Sequence, residues 1–226
     1  MTPHLVSVIG SSPGVGKSTL CRALAGWLSA TGASVDQFAE ADILTREEFR
    51  PVAQEFADGS AAVRPETLTT AVRAYVAAST AAGRDYLVTD ALLPFIPSPV
   101  AWGHDERALF SFVDGLSRVL GPVPVTVVYV HDDPAAALRR AVARKGAGWK
   151  DWYIRKLAGS PGTRSVRDLP SAAARLRAEA EPTRRLLTRA PWHVVTVDVG
   201  TLDAEQTFAS ARDRLADRLG PSTCPA

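Results

Sequence analysis

Short apolar runs alternate with longer amphipathic stretches along the chain, the pattern of a parallel sheet covered on both faces by helices. The apolar runs fall at residues 5–9, 34–39, 85–89, 123–130 and 193–198. They are continuous rather than alternating, as in Val-Thr-Val-Val-Tyr-Val at 125–130, which suits strands buried on both sides. Between them, residues 18–30 place Leu20, Leu24, Trp27 and Leu28 at helical spacing, with Gly32 beyond as a stop. Residues 46–57, 65–82, 106–120 and 134–144 predict further helices, with Pro65 and Pro134 in a first turn that accepts proline. The pattern lapses at 146–170 into Gly, Ser, Pro and basic residues around a Trp-Tyr cluster. A long helix over 171–189, the last strand and a closing helix over 204–219 follow, and 220–226 reads as a frayed tail. With 226 residues and neither repeat nor linker, the expectation is one α/β domain, 1–226. It would be a three-layer sandwich around a five-stranded parallel sheet, with a lid at about 145–170.

Composition narrows the setting. Hydrophobic content of 46% and charged content of 22% exclude a disordered chain. A formal net charge of +2 gives no overall reason to expect nucleic acid or a membrane surface as partner. The cysteines, Cys21 and Cys224, belong to no C-x-x-C or Cys/His cluster, so neither zinc nor a disulfide framework is expected. No apolar run reaches the roughly 18 residues of a membrane span. The first strand follows no basic segment and so does not read as a signal peptide, which makes a cytoplasmic setting the expectation.

The specific motif is Ser11-Ser12-Pro13-Gly14-Val15-Gly16-Lys17-Ser18-Thr19, directly after the first strand and before a helix. It resembles the P-loop, G-x-x-x-x-G-K-S/T, except that the motif's first Gly falls at Ser11, with Gly10 one residue early. Gly14 and Gly16 let successive N–H groups of the 12–19 segment face a phosphate, and the following helix adds a favourable field. By that resemblance Lys17 bridges the β- and γ-phosphates of ATP and Ser18 ligates Mg²⁺.

A chain without Asn cannot supply the N-K-x-D element by which GTPases read guanine. Asp90 is followed by Ala91, not the Glu of AAA-type ATPases, and Ser12 stands where ParA/MinD-like ATPases carry an extra lysine. The remainder resembles the small P-loop kinases. Residues 133–144, Asp-Pro-Ala-Ala-Ala-Leu-Arg-Arg-Ala-Val-Ala-Arg, look like the D-x-P-E-x-x-L-x-R-x-x-x-R element of thymidylate kinase and its relatives, with Ala for the family's Glu. The resemblance implies that Arg140 packs on the adenine or phosphates and that Arg144 belongs to a closing lid. Asp90 takes the place of a Walker B carboxylate or of the Asp of the family's D-R motif, holding Mg²⁺ through water or orienting the acceptor. Glu40 and Asp42 end the second strand, where deoxynucleoside kinases and chloramphenicol-phosphotransferase-like kinases carry the carboxylate that activates the acceptor. Glu40 is preferred, although sequence does not choose between them and Asp42 reads equally as a cap. Gly200, after the last strand, would let the backbone pass over adenine.

On the acceptor side the candidates are Phe38, Phe49, Phe56, Phe95, Trp102, His104 and Arg107, with the proline-rich 93–99 loop as a wall. Each aromatic reads equally as core, and His104 as a helix cap. Trp149, Trp152 and Tyr153 beside Gly146 and Gly148 read as a hinged lid that excludes water. The resemblance thus implies an ATP- and Mg²⁺-dependent kinase for a nucleoside, nucleotide or hydroxylated metabolite such as an antibiotic. A homodimer is compatible with it, and nucleic acid and membrane are not expected partners. The thymidylate kinase D-R-Y and R-E-P elements are not matched. The alternative is a nucleotide-binding regulatory or assembly ATPase with no small acceptor, and a third reading is nucleic-acid binding through the basic segment. Charge is polarised: residues 139–189 hold 14 Lys or Arg against four acids, a net +10, leaving −8 elsewhere.

Overall fold

A computed structural model of the protein describes residues 2–57, 63–90, 92–93, 97–101 and 103–219. Five strands, β1 (His4–Gly10), β2 (Val35–Phe38), β3 (Tyr86–Thr89), β4 (Val125–His131) and β5 (His193–Asp198), form one sheet in the order β2-β3-β1-β4-β5. Every pairing is parallel, with Leu5 opposite Leu87 on one side and Val125 on the other. The chain reverses direction of winding beside β1, so the crevice at the carboxyl end of β1 is the place where such sheets bind ligands.

Both faces of the sheet are covered, which is why the strands read as continuous apolar runs. Leu5, Ile9, Leu87, Val127 and Tyr129 face one layer, made by α2 (Arg50–Ala57), α3 (Pro65–Ala81) and α5 (Glu106–Leu120). Val6, Val8, Val88, Val128 and Val197 face the other, made by α1 (Lys17–Ala30) and α10 (Ala204–Leu219). The five-stranded, three-layer architecture is the one expected from the sequence. A smaller cluster, Leu138, Tyr153, Val166, Ala172, Ala173 and Leu176, joins α6 (Pro134–Lys145), α7 (Ala147–Gly159) and α8 (Leu169–Ala178) at the cleft end of the molecule.

Three expectations are corrected. The 146–170 segment is mainly helical: α7 occupies 13 residues of it and is followed by a 3-10 turn, Pro161–Thr163. Gly146, at φ 85°, ends α6 and starts α7, whereas Gly148 lies inside the helix. The long helix expected over 171–189 is two, α8 and α9 (Ala180–Arg189), because Pro182 lacks an N–H and its ring would clash with the carbonyl four residues back. The helix expected over 46–57 starts at Arg50, with 3-10 turns at Glu40–Leu44 and Glu47–Phe49 before it, because Pro51 fits only a first turn. A short helix, α4 (Pro97–Ala101), follows β3. Phe95, Trp102 and Cys224 lie outside the described residues, and Cys21 is buried on α1.

Candidate functional site

The connection from β1 to α1 forms the floor of the site. Ser11 N donates to Val130 O at 3.0 Å, which anchors the start of the loop to β4. Gly14 and Gly16 have φ of 90° and 92°, a region that glycine enters without strain. Gly14 also passes against α6: a Cβ there would sit 2.0 Å from Ala137 O. Gly10 permits a second close approach, since its Cβ would lie 2.7 Å from Val15 Cγ2. The early glycine therefore serves the fold-back of the loop, and Ser11 is accommodated in its place.

The start of α1 is electropositive by construction. Its N-cap, Gly16, offers no side-chain acceptor, and no acid stands in its first turn. By contrast α5, α6 and α8 are capped by Asp105, Asp133 and Asp168. The hydroxyls of Ser11 and Ser12 are buried and find no hydrogen-bond partner among the described residues. Ser18 and Thr19 are exposed in the first helical turn. Uncapped N–H groups, two buried hydroxyls and the helix field together suit an anion.

Lys17 reaches across the crevice. Its Nζ donates to Asp90 O at 2.6 Å and to Glu40 Oε2 at 3.3 Å. Asp90, 2% exposed, in turn accepts from Glu40 N at 2.8 Å through Oδ1. Lys17, Glu40 and Asp90 are thus brought together. Asp42 is not with them: its Oδ2 accepts from Ala39 N at 2.8 Å, closing the Glu40–Leu44 turn. The two carboxylates that sequence left open are separated, with Glu40 facing the cleft at 63% exposure and Asp42 turned to the backbone.

Arg140 braces the loop from α6, its Nε donating to Gly14 O at 3.3 Å and its Nη2 pairing with Asp132 at 2.5 Å. Arg144, one turn on, lines the cleft itself. Gly200 lies in a neighbouring recess with His131, Asp132, Asp133 and Asp198, where a Cβ would come 3.1 Å from Asp132 Oδ1. Arg140 links the two, bonded to Gly14 of the loop and to Asp132 of the recess.

Over the loop runs α7. The cleft between them, about 270 Å³, is lined by the 12–19 loop, Glu40, Ala101, Arg144 and Lys145, and by Trp149, Trp152, Tyr153, Lys156, Leu157 and Ser160 of the α7 segment. These last residues recur at spacings of three and four, one face of a helix. That spacing was visible in the sequence and was obscured by the surrounding glycines. The lysines carried a second signal. The chain has only four, Lys17, Lys145, Lys150 and Lys156, and three of them line this cleft. Among the described residues, four cationic side chains line the cleft against one carboxylate, that of Glu40.

The acceptor-side candidates disperse. Phe38 and Phe49 are buried with Tyr75 in the core, under the Arg46 guanidinium, which binds Asp36 through two hydrogen bonds. Asp105, not His104, caps α5. Arg107 lies in a recess formed by Glu106, Phe110, Asp114 and Arg189, none of which lines the cleft. Phe56 is 37% exposed on α2.

Parallel strand order, a glycine loop between β1 and α1, and helices on both faces define a three-layer α/β protein with a doubly wound sheet. No family model and no curated protein matches the chain. Among solved structures, it is similar to the YorR protein of Bacillus subtilis, crystallised in complex with phosphorylated GDP. The two share 13% identity at a TM-score of 0.49, over 93% of this chain and 95% of that one. Among the described residues no helix is long and apolar enough to cross a membrane.

Proposed function

We propose that this protein is an ATP- and Mg²⁺-dependent kinase that transfers the γ-phosphoryl group to a small acceptor: a nucleoside, a nucleotide or a hydroxylated metabolite. The observation that carries the reading is the meeting of Lys17 and Glu40, both held by the buried Asp90, in a cleft walled by the glycine loop and roofed by α7. Backbone N–H groups of the loop and the Ser12 hydroxyl bind the polyphosphate. Lys17 exchanges Glu40 for phosphate oxygens, and its release leaves Glu40 to align the acceptor hydroxyl and take its proton. The acceptor oxygen forms its bond to the γ-phosphorus as the bond from that phosphorus to the bridging oxygen breaks, and ADP leaves. Arg144 and Lys145 stabilise charge on the transferring group, while α7 keeps water out.

The residues present suit Mg²⁺. Among the described residues no three His, Cys, Asp or Glu side chains form a cage for a metal. The exposed Ser18 hydroxyl and the Asp90 carboxylate instead suit an ion whose other ligands are phosphate oxygens and water. When bound, the ion supplies charge neutralisation on the β- and γ-oxygens. Arg140 supports the site indirectly, by holding the loop.

The test is ADP release with ATP, Mg²⁺ and a panel of nucleosides, nucleotides and hydroxylated antibiotics. Lys17→Ala is expected to abolish acceptor-dependent release with an unchanged circular-dichroism spectrum; undiminished turnover in that variant would sink the reading. Slow release independent of any acceptor, with nucleotide-dependent assembly, would favour the regulatory ATPase instead.

A further inference from the structure

The roof of the cleft carries two lysine–tryptophan pairs that differ in kind. Lys145 Nζ lies 5.7 Å from the centre of the Trp149 ring, and Lys156 Nζ lies 5.2 Å from that of Trp152. Trp149 is occupied structurally: it stacks on Tyr153 with centroids 5.0 Å apart and planes 7° apart. Trp152 packs on no other aromatic ring among the described residues and is 49% exposed at the mouth of the cleft. A large indole left open to water inside a ligand-sized cleft is a surface waiting for a flat partner.

The direction of α7 says which partner. Its N-terminal end continues from α6, the helix that bears Arg140 and Arg144 and packs on Gly14. The 3-10 turn that follows its C-terminal end is packed against α4, where a Cβ on Gly162 would lie 1.7 Å from Val100 O. The stripe from Trp152 through Lys156 to Ser160 therefore leads away from the donor's loop brace and toward Ala101. Lysine, with a flexible stem and three rotatable donors, can leave the indole face and follow an anion.

We infer that Trp152 and Lys156 are the recognition pair for the acceptor, and that the acceptor is a flat-ringed compound bearing an anionic group, phosphate or carboxylate. The ring lies on the Trp152 indole, and Lys156 swings from the same indole to the anion. The word acceptor rests on the kinase reading; binding of an anionic ring at this pair does not. Neutral and cationic members of the acceptor class are disfavoured by the same chemistry, since the cleft already holds an excess of positive charge.

The test is calorimetric titration of the full chain with nucleoside 5′-monophosphates and an aromatic carboxylate as anionic rings, parent nucleosides as neutral rings, and kanamycin as a cation. Anionic rings are expected to bind at least tenfold more tightly than the others. Trp152→Ala should lose about tenfold, the scale of one stacked ring, and Trp152→Phe should regain most of it. Lys156→Ala should bring each monophosphate to within about threefold of its parent nucleoside. Equal affinity for neutral and anionic rings, or an unaltered Trp152→Ala, overturns the inference. A fluorescent ATP analogue, titrated into wild type, reads the loop, and unchanged circular-dichroism spectra show that the variants are folded. If wild type fails to bind the analogue, the kinase reading fails while the ring titration still decides the pair.

Discussion

Gly14 and Gly16 have nearly the same backbone angle, φ 90° and 92°, and yet replacement by alanine should have unequal consequences. At Gly16 an added Cβ meets nothing within 4 Å, so Gly16→Ala costs only the backbone strain, about 1–3 kcal/mol. At Gly14 the same atom would lie 2.0 Å from Ala137 O, 2.9 Å from Ala137 C and 3.2 Å from Ala141 Cβ. The first of these is about 1.4 Å short of the 3.4 Å of an ordinary contact, so the loop and α6 must part. Parting them also lengthens the Arg140 Nε to Gly14 O hydrogen bond, now 3.3 Å. A chain of this size loses about 2–4 °C in Tm per kcal/mol. Thermal unfolding should therefore show a drop of a few degrees for Gly16→Ala and at least twice that for Gly14→Ala, which should also lose ATP-analogue binding. Because the obstructing atom is a main-chain oxygen, a second change of Ala141→Gly cannot relieve it. Equal Tm losses, or rescue by Ala141→Gly, would refute the claim that α6 braces the loop.

Asp42→Ala should cost roughly 0.5–2 kcal/mol in chemical denaturation, by loss of the bond to Ala39 N, and leave transfer within a few-fold. Glu40→Ala should do the reverse, lowering transfer about a hundredfold or more with little change in stability. His4, against Thr126 and Tyr86, is pushed down from 6.5 to about 4, chiefly by burial. The unfolded chain therefore takes up this proton first, and stability falls by up to about 1.4 kcal/mol per pH unit as pH drops from 6.5 to about 4, a slope that His4→Gln should flatten. Glu179 has the opposite sign: burial raises its pKa above the ordinary 4.5, with Arg175 offsetting only part. The fold holds that proton more tightly than the unfolded chain, so Glu179→Gln should gain stability relative to wild type as pH rises above 4.5, measured by denaturant midpoints.

The elements that sequence placed well are those whose cause is local. Helix α5 and strand β5 fall on the expected residues, because a complete apolar face marks the helix and the β-branched run Val-Val-Thr-Val marks the strand. The misplaced boundaries also had local causes, carried by single residues that the periodicity overrode. Pro51 and Pro182 each sit inside an otherwise helical pattern, and each moves a helix start to within two residues of itself. In α7 the opposite happened: glycines at 146, 148 and 159 suggested a loop, but those at 146 and 159 lie at the ends of the helix and leave 149–158 uninterrupted.

The site divides along the same line. The 11–19 loop is contiguous, so its spacing could be read directly, whereas Glu40 and Asp42 could be distinguished only by what each touches. Lys17 is 23 residues from Glu40 and 73 from Asp90, and Gly14 is 126 from Arg140. Net charge misled in a different way. Part of the +10 is offset by acids from outside the block: Arg140 pairs with Asp132, Arg177 with Asp133, Arg185 with Glu106 and Arg189 with Asp114. Planar guanidinium groups suit such fixed pairs, and among the described residues ten of the 22 arginines form ion pairs with acids of the chain. An ammonium on a flexible stem suits a partner that comes and goes. Three of four lysines against few of 22 arginines at the cleft is thus a division of labour by chemistry, and it marks the ligand-facing charge more sharply than the sum over the block.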